Sequence, residues 1–169
     1  KKLKNNPKYS NYSRYFENII RKKKHILSAK EEKLLSQVGS FAGDFKDIFS
    51  FFDNVDIDLG TINVRGEKVK LTHGSYAVLL RDSDQKVRKK AFDSLYKAYK
   101  SMINTIAATY IGNVKATCFY AKTRKYKSSL DMALSGSNIP SIVYDNLIAS
   151  VKKYTPVMHK YVALRKKAL

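Results

Sequence analysis

The stretch DQKVRKKAFDSLYKAYKSMINTIAATYIGNVKATCFYAKTR, residues 84–124, decides how this chain folds. It holds no Pro and one Gly, Gly112, so nothing in it forces a stop. Val87, Ala91, Leu95, Tyr99, Met102, Ile106, Tyr110, Val114 and Thr117 recur every three or four residues, the period of one helix face. A continuous helix over this range would be about 60 Å long. Between Met102 and Ile111 it is apolar nearly all round, which predicts neighbours on several sides. Ser83 or Asp84 is the expected N-cap.

Upstream, Thr72-His73-Gly74-Ser75 opens a short helix to about Leu80. Thr61-Ile62-Asn63-Val64 alternates, Arg65-Gly66 turns, and Lys68-Val69-Lys70-Leu71 alternates again, which predicts a hairpin leaning on helices. Residues 43–54 read as a helix capped by Asp44, with Phe45, Ile48, Phe49 and Phe52 on one face. A further helix starts after Ser28, which with Glu31 makes a capping box, and Gly39 is the expected stop. Ser10 to Leu27 is helical, with Arg21 to Lys24 suiting the negative C-terminal pole, and residues 1–9 form a polar lead-in. Downstream, Lys127 to Ser137 gives a short helix and a turn. Asn138-Ile139-Pro140 leads into another helix, with Pro140 in its first turn. Thr155-Pro156 caps a new helix or kinks that one, and the last helix runs to Leu169.

The chain of 169 residues is one ordinary domain or a large fragment of one. With 44% hydrophobic and 12% aromatic residues it can build a core and is not low-complexity disorder. Folding at this length removes roughly 68–70% of the surface of the unfolded chain. Only 7 Gly and 3 Pro favour long helices over a many-turned sandwich. A lone cysteine, Cys118, excludes an internal disulfide or a cysteine zinc site and reads as a small buried hydrophobe. No apolar run is long enough to span a membrane, so no membrane partner and a cytoplasmic setting are expected. The chain starts at Lys1 without a Met, which suggests an excised segment.

The residues that could carry chemistry are scattered along the chain. His25, His73 and His159 are far apart, and none belongs to the i, i+4 pair that lets two imidazoles face one metal. His25 follows a Lys run and reads as exposed, His73 as a cap or turn residue, and His159 as a helix-surface residue. Gly74-Ser75 and Gly136-Ser137 are not Gly-x-Ser-x-Gly elbows. Cys118 lacks a nearby His to lower its pKa. Glu31-Glu32 and the pair Asp56 and Asp58 are short-range surface acids that would need a shaped cleft to act.

A net charge of +19 invites a nucleic-acid reading, with Lys86, Arg88, Lys89, Lys90, Lys97 and Lys100 along one helix. The aromatics recur at core spacing and no groove-binding pattern stands out, so a solvated basic face is preferred. An inactive interaction scaffold is the third alternative.

From Ala91 to Val151 the chain resembles the N-terminal helical half of oligoendopeptidase F, a bacterial zinc metallopeptidase. The phrases that carry this are Gly112-Asn113-Val114-Lys115, Phe119-Tyr120-Ala121 with Arg124-Lys125-Tyr126, and Asn138-Ile139-Pro140 with Val143-Tyr144-Asp145-Asn146-Leu147. Glu31-Glu32-Lys33-Leu34-Leu35, Leu71-Thr72-His73-Gly74 and Arg165-Lys166-Lys167 fit as well. The resemblance implies a parent that cleaves short peptides in a deep channel. There, zinc activates water, and a Glu of a His-Glu-x-x-His motif in a C-terminal half acts as base. That half is absent, so no catalytic, cofactor-binding or metal-ligating residue is assigned, and zinc belongs to the parent. The partners implied are an oligopeptide substrate, through the parent, and the missing catalytic half. The charge departs from the family and implies a leaning towards acidic peptides.

The expected fold class is therefore mainly α, a multi-helix, bundle-like lobe with one long central helix (about 84–124) and one small β-hairpin (about 60–72). Residues 1–169 are expected to form an internal part of an N-terminal helical lobe that walls the channel, with no separate second domain.

Overall fold

The structure, a computed structural model, describes residues 7–168. Most of the expected polar lead-in, residues 1–6, and the last residue, Leu169, lie outside the described residues. A 3-10 turn, Pro7–Tyr12, precedes α1 (Ser13–Lys23), α2 (Ala29–Ala42) and α3 (Asp44–Phe51). A π turn, Phe52–Asp56, leads to β1 (Thr61–Val64) and β2 (Glu67–Lys70). Then come α4 (His73–Leu79), α5 (Gln85–Ser101), α6 (Ile103–Thr123), α7 (Ser129–Ser135) and α8 (Ser141–Ala168). The mainly helical class with one antiparallel hairpin is as expected. The chain divides into two compact units, one of residues up to Ser28 with those from Thr117 onward, the other Ala29–Ala116.

The second unit holds the larger cluster of buried residues. The hairpin pairs Ile62 with Val69 and Val64 with Glu67. Arg65 (φ 52) and Gly66 (φ 95) both take positive φ, the mirror-image turn whose twist matches paired strands. Asn63 Oδ1 accepts from the Gly66 amide at 2.9 Å. Ile62 points inward with Leu59 and Leu71 against Ala91 and Leu95 of α5, so the hairpin rests on a helix. The Ser94 hydroxyl donates to the Leu59 carbonyl at 2.7 Å and ties the approach to β1 onto α5. The Thr72 hydroxyl accepts from the Ser75 amide and the Ser75 hydroxyl from the Thr72 amide, a reciprocal cap on α4. Asp84 caps α5 by accepting from the Lys86 amide at 2.8 Å.

The long helical stretch occupies the expected range in two pieces. Met102 leaves the helical region (φ −110, ψ 15), its amide reaches Tyr99 at 3.1 Å, and α6 begins at the next residue. No Gly or Pro marks the break. The Ser101 hydroxyl donates back to the Ala98 carbonyl at 2.7 Å, the kind of side-chain competition that bends helices.

Several local expectations are corrected. Gly39 lies inside α2, which runs on to Ala42 because helix hydrogen bonds tolerate an isolated Gly. Asp44 is the first residue of α3, behind Gly43, and makes no side-chain cap. The helix expected from Ser10 is a 3-10 turn up to Tyr12 and an α-helix only from Ser13. Thr155 is no cap. Its hydroxyl donates to the Val151 carbonyl at 2.9 Å, and α8 continues with Pro156 inside it.

The expected burial is not reached. The chain of 19.3 kDa exposes 13860 Å². A compact monomer of this mass would expose about 8,500 Å², and two separate compact units of half the mass about 10,000 Å² together. About half of the unfolded surface is removed, short of the roughly 68–70% expected. The shortfall is plain on α8, where Leu147, Val151, Tyr154 and Met158 form a stripe with each residue 60–62% exposed.

Candidate functional site

The residues singled out by sequence go to separate places. His159 is exposed on α8, as expected. Cys118 is exposed rather than buried, because α6 turns that face outward. His25 reverses its expectation too. It is 8% exposed, stacked on Tyr126, with Nδ1 donating to the Arg124 carbonyl at 2.7 Å. The Lys run before it stays outside while the imidazole turns inward. Ser75 is spent on the α4 cap, and Ser137 lies exposed after α7. Glu31 and Glu32 fall in the first turn of α2, where the positive helix pole favours carboxylates.

Three of the six basic residues singled out on α5 are engaged nearby. Arg88 donates to the Asp82 and Ser83 carbonyls at 2.7 and 2.9 Å, Lys89 meets Asp93 at 2.5 Å, and Lys90 reaches the Asn63 carbonyl at 3.4 Å. Against expectation, Phe92 and Tyr96 are exposed on this helix, centroids 4.4 Å apart.

One cluster brings titratable groups together. The π turn delivers Asp53 to Tyr99 of α5 and His73 at the start of α4. The Tyr99 hydroxyl donates to the Asp53 carboxylate in a short hydrogen bond. His73 Nε2 donates to the Asp53 carbonyl at 2.9 Å and lies 3.9 Å from its carboxylate. Partial burial, and then the Asp53 carboxylate, push the Tyr99 hydroxyl up to about 12, so it stays protonated and acts as a donor. Asp53, Asp56, Asp58 and His73 line one open cleft of about 360 Å³. No activated nucleophile faces this cleft, and each bond in the cluster joins one element to another. Its chemistry is positioning. The sequence marks His73 at the start of a helix, but no local signal marks Asp53 and Tyr99, 46 residues apart, as partners.

Two further clefts lie one in the second unit and one in the first. Phe45, Phe49, Ile103, Ile106 and Tyr110 line an apolar groove of about 440 Å³ between α3 and α6. Beneath it the Phe45 ring lies so close to Gly112 that a Cβ there would collide with it. In the first unit, Arg21, Lys24, His25, Lys125 and Lys127 line a cleft of about 330 Å³.

Among the described residues no group of three His, Cys, Asp or Glu side chains is placed to hold a metal ion. The bonds of His25 and His73 go to carbonyls of their own units. These residues do not fit a zinc centre. No described helix is long and apolar enough to cross a membrane.

The family profile described as oligopeptidase F matches residues 1–58, and that of peptidase family M3 matches residues 78–169. The chain is 42% identical to oligopeptidase PepF of Bacillus subtilis over 94% of its own length and 24% of that protein's. It is 40% identical to the plasmid oligoendopeptidase F of Lactococcus lactis subsp. cremoris, over 96% of this chain and 27% of that one. It superposes on the crystal structure of oligoendopeptidase-F from Enterococcus faecium with a TM-score of 0.87 at 38% identity, covering 98% of this chain and 33% of that one. The chain thus spans about a quarter of the length of the curated relatives it matches.

Proposed function

The chain belongs to peptidase family M3, and from that premise we propose that it is the channel-walling, substrate-confining lobe of a zinc metalloendopeptidase that hydrolyses short oligopeptides. It would lie within the N-terminal helical lobe of that parent. The catalytic water, its metal and the general base come from the remainder of the parent, and no step of the reaction is assigned to a residue of this chain. What these residues do is steric and electrostatic. Within each unit helices are held in place, by the Leu59–Leu95 core in one and by the His25–Tyr126 stack in the other, and a +19 charge attracts acidic peptide segments.

The observation that carries this reading is the unburied surface. A 28-residue helix exposed along both faces, with an apolar stripe and an internal Pro, is not stable from propensity alone. It belongs against a further surface, and relatives about four times as long would supply one.

The test separates lobe from enzyme. The chain alone, with added zinc, is expected to leave a quenched-fluorescent oligopeptide intact. Co-expressed with the C-terminal remainder of a relative, it is expected to restore cleavage of short peptides and not of an unfolded protein. Turnover by the pure chain, or no restoration when the two parts form a complex, would reject the reading.

A second reading rests on Phe92 and Tyr96, exposed side by side near Lys89, an arrangement suited to stacking bases. Tight single-strand binding with a steep salt dependence, lost in Phe92→Ala, would favour it.

A further inference from the structure

The cleft in the first unit collects four cations, three of which the fold itself does not use. Arg21, Lys24, Lys125 and Lys127 line it with one carboxylate, Asp131. Basic residues often serve to cap helix C-termini, and α1, α6 and α7 all end nearby. Here the final carbonyls already have donors. The His25 amide reaches Lys22 at 2.9 Å, and the Lys125 and Tyr126 amides reach Lys122 and Ala121 at 3.0 and 2.9 Å. The Asn138 and Ile139 amides reach Ser135 and Leu134 at 3.2 and 3.1 Å, and Arg21 adds a bond to the Ser135 carbonyl. Arg21 is also held by Asn18 at 2.9 Å. That leaves Lys24, Lys125 and Lys127 with no ion pair among the described residues.

The backbone adds a second observation. Lys125 sits at φ 59, the left-handed position after α6 that is ordinarily given to Gly. A Lys there strains the backbone where Gly would not. Asn138, across the same cleft, is also left-handed at φ 56. A strained residue that presents charge to an open cleft, walled by a half-buried Tyr126 ring over a buried His25, is arranged for something the fold does not need.

We propose that this cleft is a binding site for a multivalent oxyanion, held by the ammonium groups of Lys24, Lys125 and Lys127. Lysines are point charges that suit phosphate and clustered carboxylates alike, so both belong to the ligand class. The proposal stands whether or not the chain is part of a peptidase, since every residue in it lies in the first unit.

The experiment titrates the full chain with inorganic phosphate and, separately, with citrate, at constant ionic strength set with chloride. Amide NMR shifts of Lys125, Tyr126 and Lys127 are the readout. Saturable shifts confined to this cleft are expected from at least one of the two. Phosphate alone would mark a phosphate site, and citrate alone a carboxylate site. Lys125→Gly is the informative variant, because it removes charge while relieving the backbone. It is expected to raise Tm by a few degrees and to weaken binding about fivefold. Lys68→Gln, in the hairpin of the other unit, is expected to leave binding unchanged. Non-saturating shifts spread over many lysines, or a Lys125→Gly chain that binds as well as the original, would overturn the proposal.

Discussion

The imidazole of His25 lies flat on the ring of Tyr126, centroids 3.6 Å apart and planes 10° from parallel. Nδ1 donates to the Arg124 carbonyl at 2.7 Å, and the Arg124 guanidinium returns a bond to the His25 carbonyl at 3.3 Å. His25 and Arg124, 99 residues apart, are thus joined by two hydrogen bonds beside the stack on Tyr126, so the segment after α1 is pinned to the end of α6. His25→Phe should keep the stack and lose the bond, at a cost of about 1–2 kcal/mol. His25→Ala should lose both, at about 2–4 kcal/mol. Denaturant unfolding of the two variants decides, and equal midpoints would show that the ring contact contributes nothing.

The Tyr99–Asp53 bond predicts a pH signature. The folded hydroxyl, pushed up to about 12, stands above its unfolded value of 10.0. A raised value stabilises the fold fully below the unfolded one, and that stabilisation is lost as pH rises through the folded one. Tyr99→Phe should therefore cost about 1 kcal/mol at neutral pH. The gap between the two proteins should hold to about pH 10 and close towards pH 12. Urea midpoints across that window test it, and a gap that widens with pH would be the wrong sign.

Gly112 is buried under the Phe45 ring. Gly112→Ala would gain about 1 kcal/mol of helix propensity and lose about 1–3 kcal/mol to overpacking. A net destabilisation is expected, with Phe45→Ala in the same chain removing the penalty. A Gly112→Ala chain that melts higher than the original would contradict the close approach.

The α8 stripe makes no demand on the folded chain. Leu147→Lys with Val151→Lys should shift stability by less than about 0.5 kcal/mol. Sedimentation velocity should show less self-association, because the apolar patch is broken. A loss of 2 kcal/mol or more would place those side chains in a core.

These features differ in how far sequence reveals them. The Arg65-Gly66 turn and the Thr72 and Asp84 caps are written in neighbouring residues, and the structure holds them. The α5 face of Val87, Ala91 and Leu95 is buried as its period predicts, but Met102, Tyr110, Ile111 and Val114 are exposed, against the expected cover on several sides, because no neighbouring element covers those side chains among the described residues. Gly39 does not stop α2, because the weak penalty of one Gly yields to helix hydrogen bonds on both sides. Of the two readings of Thr155-Pro156, a new capped helix is not what forms, and α8 runs on through Pro156. The Asp53–His73–Tyr99 cluster and the cationic cleft left no mark in the sequence, since their members come from separate elements.

By itself the sequence determined the helical class, the hairpin and the absence of paired imidazoles one turn apart, all matters of short spacing along one chain. Only the tertiary structure decided that His25 turns inward, that Cys118 and Phe92 turn outward, and that α8 lies bare. Burial is set by which distant surface meets a given helix face, and the period of that face is the same whether a neighbour covers it or water does.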